Sequence, residues 1–182
     1  MSVKDNMIET DRLKIFPLSY KQILKYKDYK NELESELELN RSNFKLPLHL
    51  RKMIEKKILP QLAGKKEDFI FNTLWIIVDK KENLIVGDFG IKGSPNLLGE
   101  IEMGYGTHYP FQNKGYMTEA IKGFLRWTST ISEVKFILAE TDKINIASIK
   151  VVEKNNFKMF KESKNSQWWR IEIDILKGDA NQ

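Results

Sequence analysis

The segment of this chain best equipped for chemistry is Gln112-Asn113-Lys114-Gly115-Tyr116-Met117-Thr118-Glu119-Ala120. It follows a run with strand character and opens a run with helical spacing. A glycine at such a junction lets the backbone turn tightly, so that successive amide N–H groups point into one concavity. The positive end of the helix dipole adds to that field. The arrangement suits a pyrophosphate, with Lys114 supplying a nearby positive charge. A plain strand-to-helix turn with a strained glycine carries the same local signature. Downstream, Asn145 is well suited to cap a helix. Ser148, one turn later, is a hydroxyl that could equally bond its own backbone.

The elements that must position these groups can be read from periodicity. Residues 13–18 alternate like a half-buried strand that stops at Pro17, and Ser19 then fits a helix N-cap. His49 to Leu62 reads as an amphipathic helix ending near Pro60. Phe71–Val78, Leu84–Ile91 and Leu98–Tyr105 form three strands joined by short polar turns, an antiparallel meander. Gly87 and Gly90 suggest close backbone packing there. Met117–Thr128 then takes a helical face, Val134–Ala139 a short buried strand, and Ile146–Val152 a second helix. Phe157–Phe160 and Trp168–Ile175 close the pattern as strands. Strand, helix, strand, helix, strand after a meander predicts an α/β (α+β) single domain over residues 1–182: a mixed, mostly antiparallel twisted sheet of six to seven strands flanked by about four helices.

Composition excludes several kinds of function. Hydrophobic residues are 41% and charged residues 30% of 182, a globular balance. With no cysteine and two histidines, His49 and His108, far apart in sequence, no disulfide, thiolate or histidine metal site is expected. Apolar runs such as Trp75–Val78 are too short to cross a bilayer, and the first residues lack a secretory signal. These features predict a soluble cytoplasmic protein. The net charge of +5 and pI near 9.2 come from scattered lysines with interleaved acids. Nucleic-acid binding would instead call for clustered lysines with interleaved aromatics on one surface.

Taken together, these motifs resemble the GNAT superfamily of N-acetyltransferases. Gln112-x-x-Gly115-x-Met117 is similar to its (Gln/Arg)-x-x-Gly-x-(Gly/Ala) pyrophosphate loop. Asn145-Ile146-Ala147-Ser148, followed by an apolar helix and Glu153-Lys154-Asn155-Asn156-Phe157, is similar to its second motif. Glu102-Met103-Gly104-Tyr105 and the opening Glu9-Thr10-Asp11-Arg12-Leu13 resemble the branch containing ribosomal-protein N-terminal acetyltransferases. The resemblance runs from about residue 9 to residue 175. Two positions depart from the pattern. Met117 replaces a small residue and is expected to narrow the space beside the loop. Asn156 replaces a glycine, and asparagine tolerates the left-handed conformation best among the other residues.

The resemblance implies transfer of an acetyl group from acetyl-CoA, as co-substrate and without a metal, to a primary amine. The acceptor would be a protein N-terminus or a small molecule. It assigns the pyrophosphate to the amides of Gln112, Asn113, Lys114, Gly115, Tyr116, Met117 and Thr118. It places the pantetheine arm along Tyr105, Gly106 and Thr107, with Gly104 and Gly106 permitting a bulge that opens an acetyl slot. The Tyr105 N–H becomes the candidate oxyanion donor. Asn145 is expected to bond the pantetheine arm, to cap its helix, or both. Glu102 and Glu140 compete as general base. Val152 stands where many relatives carry an acidic tyrosine, which leaves Ser148 or solvent to protonate the thiolate. Tyr29, Phe44, Trp168 and Trp169 are candidate acceptor-lining residues, and Glu32, Glu34, Glu36 and Glu38 could receive a cationic amine. A non-catalytic acyl-CoA-binding module or sensor is the alternative, and the sequence leaves a homodimer open.

Overall fold

Proline ends the first long strand because it cannot donate to a ladder, and the chain turns at once into a helix. In the computed structural model, which describes residues 6–64 and 69–174, β1 (Ile8–Glu9) and β2 (Leu13–Pro17) lead into α1 (Tyr20–Asp28). Ser19 caps α1 in a full capping box with Gln22. Next come α2 (Lys30–Glu36) and α3 (Leu48–Met53), which continues through a π-helical turn, Ile54–Ile58, into α4 (Leu59–Gly64). The meander is β3 (Leu74–Asp79), β4 (Leu84–Ile91) and β5 (Glu100–Thr107). After it come α5 (Tyr116–Thr128), β6 (Phe136–Asp142), α6 (Ile146–Lys154), β7 (Lys158–Glu162) and β8 (Ser166–Glu172).

The eight strands among the described residues form one sheet in the order β1-β2-β3-β4-β5-β6-β8-β7. β5 and β6 are parallel, joined through α5; the other pairings are antiparallel. Alternation along the strands sends side chains to two cores. One face carries Trp75, Ile77, Phe89, Met103 and Ala139 against Met117, Ile121 and Phe124 of α5 and Val152 of α6. Trp75, Phe89, Phe124 and Trp127 interlock there through stacked and edge contacts. The other face carries Leu74, Ile76 and Ile85 against Leu18, just before α1, and Ile23, Tyr26, Leu33 and Ile54 of the early helices.

The expected architecture holds, with one strand more than periodicity suggested among the described residues and, counting α3 through α4 as one continuous helix, one helix more. The extra strand is β1, two residues held by Ile8↔Ile15 and Glu9↔Lys14. The extra helix is α2, seven residues, too short to show a period. The third helix does not end near Pro60. The π-turn before it hands the Leu59 N–H to Ile54, and the widened turn makes room for a ring that would clash in a regular helix. Phe69–Phe71 is a 3-10 turn rather than the start of β3. A Cβ at Gly87 would meet Gly106 O at 2.7 Å, so backbone packing is tight there; at Gly90 the nearest atom lies at an ordinary 3.7 Å. Ile175, the expected end of the last strand, lies outside the described residues, as do residues 1–5.

Candidate active site

The loop before α5 is built from two left-handed residues. Asn113 has φ 61° and Gly115 has φ 77°, and Gly115 is the N-cap of α5 with no side-chain cap. Left-handed residues alternating with ordinary ones turn amides toward one concavity, and an uncapped N-terminus leaves them free for an anion. Gln112 to Gly115 are exposed. Met117 does not narrow this space, contrary to expectation. Its side chain is buried in the core, with its methyl 3.5 Å from where a Cβ of Gly87 would stand, so the missing side chain of Gly87 makes its room.

Arg12 buttresses the same loop from β2's approach. It donates to Lys114 O at 3.1 Å and to Glu119 Oε2 at 2.6 Å, and its guanidinium lies 4.8 Å from the Tyr116 ring centre. A Cβ on Gly115 would find Arg12 Nη2 at 3.5 Å. Burial pushes the Glu119 carboxyl up, but the Thr10 hydroxyl, the Arg12 amide and the Arg12 guanidinium outweigh it and hold the group below its usual range. Tyr116 hydrogen-bonds Asp79, which raises the phenol. Arg12 drew notice only as part of the first-strand resemblance. Its partner Glu119 is 107 residues away, so spacing gave no sign of the contact. Lys114 places its ammonium 5.5 Å from the Phe111 ring centre.

Beside the loop the sheet opens. β5 and β6 are in register from Glu100↔Phe136 to Met103↔Ala139 and no further. Past that point β5 stays on β4 through Thr107↔Gly87, while β6 stays on β8 through Asp142↔Ser166. The gap needs no bulge: the β4–β5 register is continuous, and each twisted pair carries its strand away from the other. Lys92 N–H donates to Glu102 O at 2.8 Å and His108 N–H to Val86 O at 2.9 Å. Antiparallel alternation between those anchors turns the backbone polar groups of Gly104 and Gly106 toward β4 and those of Tyr105 and Thr107 into the gap. Tyr105 is therefore suited to oxyanion donation. Gly106 is not suited to main-chain bonding of a ligand; it contributes open space, as does Gly104, since a Cβ on either meets nothing within 4 Å. Gln112 Nε2 donates to Thr107 O at 3.3 Å.

The gap widens into a cavity of about 380 Å³ lined by Met103, Tyr105, Glu140, Asn145 and Ser148 among others. Ser148 Oγ donates to the Tyr105 hydroxyl at 2.8 Å, and Tyr105 donates to Ser148 O at 3.0 Å. Burial pushes the Tyr105 phenol up to about 12, with the Ser148 hydroxyl pulling the other way. This hydroxyl pair was missed in the sequence, where Tyr105 stood out only for its backbone. Asn145 caps α6 by accepting from Ser148 N–H at 3.1 Å. Thr118 meets α6 through its carbonyl, which accepts from the buried Asn155 at 3.3 Å. Asn156 is left-handed, φ 63°, so the turn survives the loss of glycine.

The two carboxylates differ. Glu140 lines the cavity. Glu102 shares its sheet face by register but is ion-paired with Lys92. Trp168 lies opposite Glu140 on that face, whereas Trp169 is core, its indole donating to Thr141 at 2.9 Å. Tyr29 is exposed and Phe44 stacks on His108. Two of the four acids of the early segment are engaged elsewhere: Glu34 is fully buried against Lys30, and Glu36 pairs with Lys25 at 2.6 Å.

The family model of the acetyltransferase (GNAT) domain matches residues 29–158. The chain belongs to the GNAT acetyltransferase family. It is 35% identical over 95 residues to the uncharacterized N-acetyltransferase YjdG of Bacillus subtilis (strain 168), covering 52% of this chain and 56% of that protein. The match thus spans little more than half of the curated relative. Among solved GNAT structures, ribosomal-protein-S5-alanine acetyltransferase from Vibrio fischeri superimposes with a TM-score of 0.64 at 18% identity, over 92% of this chain and 97% of that one. RimL, a ribosomal L7/L12 alpha-N-protein acetyltransferase in complex with coenzyme A, gives 0.62 at 15% identity over 93% and 99%. These likenesses establish the fold. Among the described residues, no helix is long and apolar enough to cross a membrane.

Proposed function

We propose that this GNAT protein is an acetyl-CoA-dependent N-acetyltransferase of the cytoplasm, acting on a primary amine of a protein N-terminus or a small molecule. The observation that carries this is the parting of β5 from β6 beyond Met103 and Ala139, directly beside an exposed loop with two left-handed residues. A diphosphate fits the amides of Asn113 to Met117, with Lys114 and the helix dipole adding positive potential. The thioester arm fits the gap, where Tyr105 and Thr107 offer backbone groups in the manner of an added strand. When bound, the co-substrate supplies the activated acetyl group. The chain's residues then do the rest. The Tyr105 N–H bonds the carbonyl oxygen as negative charge develops on it. The Tyr105–Ser148 hydroxyl pair holds a proton at the thiol end of the slot, in place of the tyrosine that Val152 replaces. Glu140 lies in the cavity and is better placed than Glu102 to accept a proton, directly or through water.

The test is release of free thiol from acetyl-CoA against a panel of amines and N-terminal peptides, with Glu102→Gln and Glu140→Gln assayed across pH. Amine-dependent release, slowed by Glu140→Gln, is the expected outcome. Tight CoA binding without release from any amine would leave the non-catalytic module as the correct account.

A further inference from the structure

Opposite the α5 face, where Gly104 and Gly106 leave the sheet bare, stands a buried cluster that the proposed chemistry has not used. His108 is extended, φ −61° and ψ 137°, and continues the alternation of Glu102, Gly104 and Gly106 on one face. It lies two residues, roughly 7 Å, beyond Gly106. Asp88 pairs with Gly106 on the neighbouring strand and shares that face. Tyr26 descends from α1, and Phe44 stacks on the imidazole with ring centres 3.8 Å apart. Tyr26, Asp88 and His108 are all buried.

Their hydrogen bonds fix the proton positions. The Tyr26 hydroxyl donates to Asp88 Oδ2 at 2.9 Å. His108 Nε2 lies 2.9 Å from the same Tyr26 oxygen and 3.3 Å from Asp88 Oδ2. Both neighbours are acceptors toward the ring, so Nε2 carries the hydrogen. Nδ1 is then a bare lone pair, and it is buried without a hydrogen-bond partner. A carboxylate behind one ring nitrogen and an unshared lone pair on the other is the arrangement of an oriented base. The charged groups facing the cluster are Asp88 from β4 and, acting on Tyr26 from α2, Glu34 with its partner Lys30. Phe44 belongs to a stretch pinned nearby, where Ser42 bonds both Glu34 and Lys30.

We propose that His108 Nδ1 is the proton acceptor for the acceptor amine, oriented by Asp88 and Tyr26 and covered by Phe44, above the open floor at Gly104 and Gly106. This rests on the acetyltransferase reading. The ammonium gives one proton to Nδ1. The freed nitrogen lone pair forms the bond to the thioester carbonyl carbon, and the carbon–sulfur bond breaks. The second amine proton passes to Glu140 and from there, through water and the Tyr105–Ser148 hydroxyls, to the departing thiolate, giving the free thiol, and His108 returns its proton to solvent.

The chain has two histidines, and His49 is exposed, so nitrogen-15 NMR resolves the two rings. Of the two neutral tautomers, His108 is expected as the Nε2–H form; the opposite tautomer overturns the proposal. In the rate assay, His108→Gln is expected to keep CoA affinity by calorimetry and to lose about a hundredfold in rate near neutral pH. It should recover as pH rises and the amine becomes neutral without help. A deficit equal at every pH, or no deficit, overturns the proposal. If His108→Gln fails to bind CoA, Asp88→Asn carries the same test. Amine-dependent turnover absent from the wild type overturns the proposed function and this inference with it. Turnover that His108→Gln matches overturns this inference alone.

Discussion

Replacing Gly115 with aspartate tests the placement of the diphosphate, and the surroundings of that residue allow its effects to be separated. A side chain at φ 77° costs about 1–2 kcal/mol, at the low end for aspartate. The new carboxylate would project toward Arg12 Nη2, 3.5 Å from the added Cβ. An ion pair with that half-exposed guanidinium returns about 0–1 kcal/mol, so the fold should survive with a small fall in melting temperature. Binding is another matter. A unit negative charge about 4 Å from a phosphate, at an effective dielectric near 20, is repelled by about 4 kcal/mol. That corresponds to a Kd for CoA raised by about a thousandfold. Gly115→Ala is the control: it carries the backbone strain without the charge and should lose far less affinity. Calorimetric titration with CoA at two salt concentrations reads both, and the aspartate penalty should shrink as salt rises. Binding by Gly115→Asp within threefold of the wild type, with the protein folded, would refute the placement of the loop.

Other consequences follow from single contacts. Gly87→Ala puts a methyl 2.7 Å from Gly106 O and 3.3 Å from Thr107 Cα, both backbone. It should destabilise by about 1–3 kcal/mol in denaturant unfolding, and slow turnover by shifting the gap-facing strand. Tyr105→Phe removes the hydroxyl that bridges to α6. It should lower kcat while CoA affinity holds, and because the phenol stays protonated up to about 12, the wild-type rate should show no titration of Tyr105 at neutral pH. Glu119 has a folded pKa below its unfolded value, so its contribution to stability is present above pH about 4.3 and is lost as pH falls through the folded value. Glu119→Gln should lower the melting temperature at neutral pH and flatten its decline on acidification, checked by melts from pH 7 to pH 3.

Much of what the chain revealed in advance is local. A glycine after a strand and before a helical period, an asparagine ahead of an apolar helix, and an asparagine in place of a turn glycine each depend on a few neighbouring residues. Those residues behave in the fold as backbone preference dictates: Gly115 and Asn156 are left-handed and Asn145 is a cap. Alternation along a strand puts Trp168 and Trp169 on opposite faces, but only the fold decides that Trp169 is the one in the core. What only tertiary structure decided are the meetings of distant side chains. Arg12 reaches the loop before α5 from far away in the sequence, and Gly87 makes room for Met117. Tyr26 and His108 meet across 82 residues. The slot itself arises because β5 follows β4 while β6 follows β8, a property of strand order that no window of residues contains. Local conformation is set by bonds within one turn. A site is set by which strands twist apart, and that depends on every pairing in the sheet.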